Sequence, residues 1–149
     1  MKKCSDVMTK DPACCLPGEG VVEAAKLMKR EDVGSVPVVE SRLTKKLLGI
    51  VTDRDLALKV VAERRGVRNV KVEEVMTREL VTCRADDDLQ TALNAMAQHQ
   101  VRRLPVVGSN GQIVGIIAQA DVATRTEAPQ NTARVVEEIS KAGAAGAQR

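Results

Sequence analysis

Residues 6–9 read DVMT and residues 74–77 read EVMT, so one short pattern returns after 68 positions (76 minus 8). The same offset places PVV at residues 37–39 on PVV at residues 105–107. Matches that keep their order along both halves of a chain indicate an internal duplication. We therefore expect two similar structural units.

Each copy has the pattern strand, helix, strand, strand, helix. Val21–Glu31 and Leu89–His99 carry apolar residues at the 3.6-residue spacing of an amphipathic helix. Short β-branched apolar runs are typical of buried strands. They occupy residues 35–39 and 47–51 of the first copy and residues 103–107 and 113–117 of the second, and a short first strand is expected at residues 13–15 and 80–82. A closing helix is predicted at residues 53–64 and again from about residue 120 onward.

These patterns predict an α/β (α+β) fold. We expect one domain at residues 1–66, a second at residues 67–128 and a C-terminal helical tail at residues 129–149. Within the tail, residues 133–141 have the helical pattern.

The composition is that of a globular protein outside membranes. Hydrophobic residues make up 44% and charged residues 29%, and no apolar run approaches the roughly 20 residues of a membrane helix. Two lysines near the N-terminus lack an apolar segment behind them, so we expect no secretory signal and a cytoplasmic location. A net charge of +3 from scattered residues, without any Phe, Tyr or Trp, argues against nucleic-acid binding.

Longer motifs link the two copies. SVPVVE at residues 35–40 matches RRLPVVG at residues 102–108, and GIVTDRD at residues 49–55 matches GIIAQAD at residues 115–121. With the DVMT and EVMT openings, they resemble a tandem pair of cystathionine-β-synthase (CBS) domains, the Bateman module, over residues 7–125. The resemblance implies two CBS units packed sheet to sheet with pseudo-twofold symmetry, which bind an adenine nucleotide or another adenosyl effector in the clefts between them. It also implies a module that senses rather than catalyses, and a homodimer that forms through its helices.

The stretch TDRD at residues 52–55 lies where a strand meets a helix. One interpretation is a capping box, in which the Thr52 hydroxyl and the Asp55 carboxylate satisfy donors at the helix start. The other is ligand binding, because a helix start attracts phosphate and a carboxylate can accept two hydrogen bonds from a ribose diol. In the second copy Ala118 replaces the threonine while Asp121 remains, at an offset of 66 (121 minus 55), which favours ribose binding. By resemblance, Thr52 and Asp55 would hold phosphate and ribose, and Asp121 would mark a second site with fewer phosphate contacts.

The resemblance also implies a position for the adenine. It would lie against Val36-Pro37 in one cleft and Leu104-Pro105 in the other, with backbone groups near Cys14 and Val81 at its edge. Apolar walls with a few polar points suit a small planar ligand. The alternative is that Val36 and Leu104 are core residues, and both interpretations can hold together.

Two arginines and the single histidine precede the second Leu-Pro pair, in the stretch HQVRR at residues 99–103. An arginine fork matches phosphate oxygens. Because neighbours on a strand point to opposite faces, we expect one of the two, Arg103, to reach the ligand. The alternative is a pair of solvated surface arginines.

Cys4, Cys14, Cys15 and Cys83 could suggest a zinc or redox cluster. The spacing is not C-x-x-C, and Cys14 and Cys15 would face opposite sides of a strand, so they cannot easily share one tetrahedral ion. We interpret the four as buried thiols. We expect no metal site, and no cofactor is required beyond the adenosyl effector.

Three classes of function remain open. The first is a sensor of AMP, ADP, ATP, S-adenosylmethionine or a dinucleotide that regulates a partner protein, which we expect to be a separate chain. The second is a structural or interaction dimer with vestigial nucleotide pockets. The third, an enzyme subunit or a nucleic-acid binder, lacks both a catalytic set and a basic face. The first class needs Thr52, Asp55 and an arginine, and all are present.

Overall fold

The structure, a computed structural model, describes residues 2–125 and has a mixed α+β fold, as predicted. The helices are α1 (Cys4–Val7), α2 (Val21–Glu31), α3 (Asp53–Leu56), α4 (Leu89–His99) and α5 (Gln119–Arg125). The strands are β1 (Thr9–Lys10), β2 (Ser35–Val39), β3 (Leu47–Thr52), β4 (Cys83–Arg84), β5 (Arg103–Val107) and β6 (Ile113–Ala118). Within residues 2–125, no helix combines the length and apolar character that crossing a membrane requires. The helix predicted at residues 133–141 lies outside the described residues.

The strongly periodic elements match their predictions. The bounds of α2, α4, β2 and β5 are those read from the sequence, while β3 and β6 each extend one residue further. The helix predicted at residues 53–64 is present but ends earlier, and its second half, Ala57–Val61, is π-helical rather than α-helical. Hydrophobic periodicity cannot distinguish these two helix types over so few residues.

The first strand of each copy also differs from its prediction. Residues 13–15 form no strand of their own, and Cys15 makes a single parallel bridge to Val38. In the second copy the strand is Cys83–Arg84, later than the predicted residues 80–82. Such short elements carry too little periodicity for their boundaries to be predicted.

The two longer helices are built alike. In α2, Val21, Ala24 and Met28 are buried, and their three- and four-residue spacing puts them on one face. In α4 the buried residues are Leu89, Ala92, Leu93 and Met96. Both helices end at a residue with left-handed backbone conformation, Asp32 with φ 54° and Gln100 with φ 58°. The two residues occupy equivalent positions of the repeat.

The chain forms two compact units. The first unit is Pro12–Leu80, and the second combines the described residues before Pro12 with those after Leu80. In the first unit β2 and β3 form an antiparallel hairpin, flanked by the Cys15–Val38 bridge and by a bridge from Thr77 to Ile50. In the second unit the strand order is β1-β6-β5-β4, with only the β4–β5 pair parallel. Each sheet packs its strands against a helix, α2 in the first core and α4 in the second.

The two VMT segments are residues 7–9 and 75–77. Each belongs to the compact unit that contains most of the other copy of the repeat. Thr9 pairs with Ile116 of β6, and Thr77 pairs with Ile50 of β3. A Cβ atom at Gly115 would lie 2.4 Å from Met8 Sδ, and one at Gly49 would lie 2.6 Å from the Thr77 carbonyl oxygen, so only glycine allows this approach. The predicted domain boundary at residue 66 follows the sequence repeat. The compact units differ from it, because the first residues of each copy belong to the unit that holds the rest of the other copy.

Candidate functional site

The buried polar residues of the described chain lie together at one end of the β2–β3 hairpin. They are Ser35, Thr52 and Asp55. Ser35 begins β2 and stands directly opposite Thr52, the last residue of β3, so the two side chains share a face of the sheet. Asp55 lies in the first turn of α3. The strand-to-helix junction thus gathers two hydroxyls and a carboxylate in an otherwise apolar unit.

Thr52 and Asp55 form a capping box. Thr52 Oγ1 accepts a hydrogen bond from the Asp55 N–H at 3.1 Å, and Asp55 Oδ2 accepts one from the Thr52 N–H at 3.0 Å. The other oxygen, Oδ1, lies 3.0 Å from Lys59 Nζ, which also donates to the Val75 carbonyl oxygen at 2.9 Å. The capping interpretation is therefore confirmed, and ligand binding at these residues stays a prediction.

In the second unit, the equivalent junction has different chemistry. Arg103 begins β5 and stands opposite Ala118, so arginine and alanine replace the hydroxyl pair. The Ala118 N–H donates to Asp121 Oδ2 at 3.2 Å. Asp121 therefore caps its helix even without a threonine, because the bond uses the backbone. The missing threonine therefore does not favour ribose binding over capping at Asp121, contrary to the expectation from the sequence.

The predicted adenine-contact residues divide between two strand faces. Val36 and Leu104 are fully buried in the cores of their units, so the core interpretation of their side chains is confirmed. Pro37 and Pro105, each the next residue, lie on the opposite strand face, which also carries the first residue of each strand.

Cys14 and Val81, the residues predicted at the adenine edge, have different surroundings. Cys14 lines an open cleft of about 440 Å³ between the segment before α2 and one side of α2, and this cleft includes neither Thr52 nor Asp55. The Cys14 carbonyl accepts a hydrogen bond from Arg42 Nη1 at 3.5 Å. Val81 precedes β4 and packs, partly buried, against the core of the second unit.

Three of the four cysteines are buried thiols and none is in a disulfide, whereas Cys14 is only half-buried. Burial raises the pKa of Cys15 to about 12. The Cys83 thiol donates a hydrogen bond to the Cys4 sulfur, which lowers the pKa of Cys4 and raises that of Cys83. Across the described part of the chain, no three His, Cys, Asp or Glu side chains are grouped so that they could hold a metal ion.

Sequence reasoning missed two residues of the first junction. Ser35 has a signal in the sequence, because it occupies the repeat position of Arg103, at an offset of 68 (103 minus 35). Lys59 has a weaker one, since it follows Asp55 by four residues and such pairs meet on a helix. Its second bond, to Val75, depends on tertiary structure.

Comparison with known proteins assigns the repeat. The family model for the CBS domain matches residues 4–62 and 72–126. The CBS domain-containing protein YhcV of Bacillus subtilis is 40% identical over 140 residues, which cover 94% of this chain and 96% of that protein. The solved structure of Hypoxic Response Protein I with two coordinated zinc ions is 30% identical with a TM-score of 0.75, and the match covers 84% of this chain and 99% of that one.

A second solved structure is the CBS domain pair of protein MJ0100 in complex with 5′-methylthioadenosine and S-adenosyl-L-methionine. It is 27% identical with a TM-score of 0.73, and the match covers 83% of this chain and 94% of that one. Because both copies of the repeat match the family model and the fold matches solved CBS pairs, the chain belongs to the CBS domain family as a tandem pair.

Proposed function

We propose that this CBS pair is a cytoplasmic regulatory module, rather than an enzyme, that binds an adenosine-containing ligand and acts on a partner protein. The observation that carries the proposal is the clustering of Ser35, Thr52 and Asp55 at one junction, since no other buried polar residue occurs in the described chain. A cap alone needs Thr52 and Asp55 but not a second hydroxyl opposite them. The ligands of the MJ0100 pair support an adenosyl compound as the ligand class.

The roles follow from the chemistry of each group. In the first unit, the Asp55 carboxylate would accept hydrogen bonds from the ribose diol, and the Ser35 and Thr52 hydroxyls would contact the phosphate end. In the second unit, Asp121 would take the ribose and Arg103 the phosphate. Since Val36 and Leu104 point into the cores, we assign the adenine contact to Pro37 and Pro105 and to nearby backbone groups.

A structural or interaction dimer with vestigial pockets is the second candidate. It is favoured by the state of Asp55, whose two oxygens already have partners within the unit. In this case the junction residues would serve folding alone. The two candidates differ in whether any adenosyl compound binds.

A ligand panel separates them. Thermal unfolding followed by circular dichroism would be measured with AMP, ADP, ATP, S-adenosylmethionine, 5′-methylthioadenosine and a dinucleotide. A ligand present at about 100 times its Kd stabilises the folded state by about 2.7 kcal/mol, which raises the unfolding temperature by several degrees. If no compound in the panel shifts the transition, the sensor function is wrong and the structural dimer remains.

A further inference from the structure

The carboxylate proposed to bind ribose is covered by a side chain that follows it on the same helix. Lys59 Nζ contacts Asp55 Oδ1 at 3.0 Å, and the Asp55 side chain is only 7% exposed whereas that of Lys59 is 47% exposed. The other oxygen, Oδ2, already accepts the Thr52 N–H. Both oxygens therefore have partners, and a diol that binds Oδ1 must displace the Lys59 ammonium.

The two partners of Asp55 differ in their freedom to move. The Thr52 N–H belongs to the buried end of β3. Lys59 holds its ammonium on a flexible four-carbon stem and reaches water. Of the two, Lys59 is the partner that a ligand can displace.

We propose that Lys59 competes with the ligand for Asp55 and thereby selects adenosine compounds that carry an anionic group. This inference rests on the proposed ribose contact of Asp55. A neutral nucleoside that displaces Lys59 separates its ammonium from the Asp55 carboxylate and provides no other anionic group for the ammonium to bind. A nucleotide supplies a phosphate within reach of a mobile cation, so the lost ion pair is replaced.

The test compares Lys59→Met with the parent protein by calorimetric titration of adenosine, AMP and 2′,3′-dideoxyadenosine. Lys59→Met should bind adenosine about two- to fivefold more tightly, the range expected for a partly exposed ion pair. AMP should gain less, so the preference for AMP over adenosine falls. Dideoxyadenosine, which has no diol to place on Asp55, should not gain.

Three further variants control for charge and folding. Lys46→Met removes an exposed lysine from the same unit and should bind all three compounds as the parent does. Lys59→Arg keeps the charge and should keep most of the AMP preference. If Lys59→Met does not fold, Lys59→Gln removes the charge while retaining a donor for the Val75 carbonyl and provides the same comparison.

The outcomes distinguish failure of the Lys59 inference from failure of the proposed adenosine-ligand function. If the parent binds AMP but Lys59→Met leaves the preference unchanged, or weakens both compounds equally, Lys59 is not a competitor and the inference is overturned while the function stands. If neither the parent nor any variant binds adenosine or AMP, the function fails and the inference fails with it.

Discussion

Thr52 and Asp55 each accept a hydrogen bond from the backbone N–H of the other, at 3.1 and 3.0 Å, so one pair of side chains joins the end of β3 to the start of α3. The same groups are the proposed ligand contacts. A ligand would thus bind at a junction that is already ordered, and mutations there should affect both stability and binding.

Asp55→Ala should therefore show two separable losses. Removing the cap should lower the free energy of unfolding by about 0.5–2 kcal/mol, measured by urea denaturation. Removing the charged acceptor should weaken AMP binding by about 1.5–3 kcal/mol, measured by calorimetry. Asp86→Ala, at an exposed aspartate, is the control for both measurements. A loss of stability with unchanged affinity would leave Asp55 as a cap alone.

The repeat and its periodic elements were predictable from the sequence because both depend on residues close along the chain. The bounds of α2 and β5 follow from spacing and β-branched content. What the sequence could not show is which strand each VMT segment joins, since that depends on contacts between distant residues, such as Thr9 with Ile116. The contact of Lys59 with Val75 was hidden for the same reason.

At the candidate site, the sequence identified the right junction but not all of the hydrogen bonds that its side chains already make within the protein. Thr52 and Asp55 do lie together. The capping bond of Asp121 was missed because it uses a backbone N–H, which every residue except proline offers whatever its side chain. Residue types alone cannot separate capping from binding when one carboxylate can do both.

Gly49→Ala should destabilise the first unit. The added Cβ would lie 2.6 Å from the Thr77 carbonyl oxygen, so the VMT segment at residues 75–77 must move away from β3. We expect a loss of about 1–3 kcal/mol in the free energy of unfolding, the usual cost of overpacking. Gly66→Ala is the matched control, because nothing lies within 4 Å of its Cβ position. Equal stability of the two variants would contradict the close approach.

A homodimer is expected through the exposed apolar residues that follow α3 as well as through α2 and α4. Leu58 and Val61 expose 48% and 70% of their surfaces, and both lie in the π-helical segment that follows α3. Light scattering should give a dimer for the parent protein and a monomer for the Leu58→Lys, Val61→Lys double variant. Leu43→Lys should remain dimeric, although Leu43 is 94% exposed, because that residue lies in the β2–β3 loop. A monomeric parent would refute the expectation.

Stability should fall in alkaline solution partly through Cys15. Burial raises the pKa of this thiol from 9.0 to about 12. Between these values the unfolded chain has lost a proton that the folded chain keeps, so the free energy of unfolding decreases as pH rises, and below pH 9.0 the effect is absent. Cys15→Ala should flatten this decrease by up to about 1.4 kcal/mol per pH unit, as measured by urea denaturation at several pH values. An unchanged slope in Cys15→Ala would show that Cys15 is not the titrating group.

Arg103 should provide the dependence of binding on phosphate. It stands opposite Ala118 just before α5, where the first unit has Ser35 opposite Thr52, so the second junction has a cation in place of two hydroxyls. Ligand affinity should then increase with phosphate count and decrease with salt, because ionic contacts with exposed phosphates are screened. Arg103→Ala should weaken both trends, above all the step from AMP to ATP, while still binding adenosine, and Arg102→Ala, at the exposed neighbouring arginine, should keep them. Titrations of adenosine, AMP and ATP at low and high salt make this comparison. If Arg103→Ala distinguishes AMP from ATP as the parent does, with the same response to salt, the phosphates are bound by the Thr52 junction without this arginine.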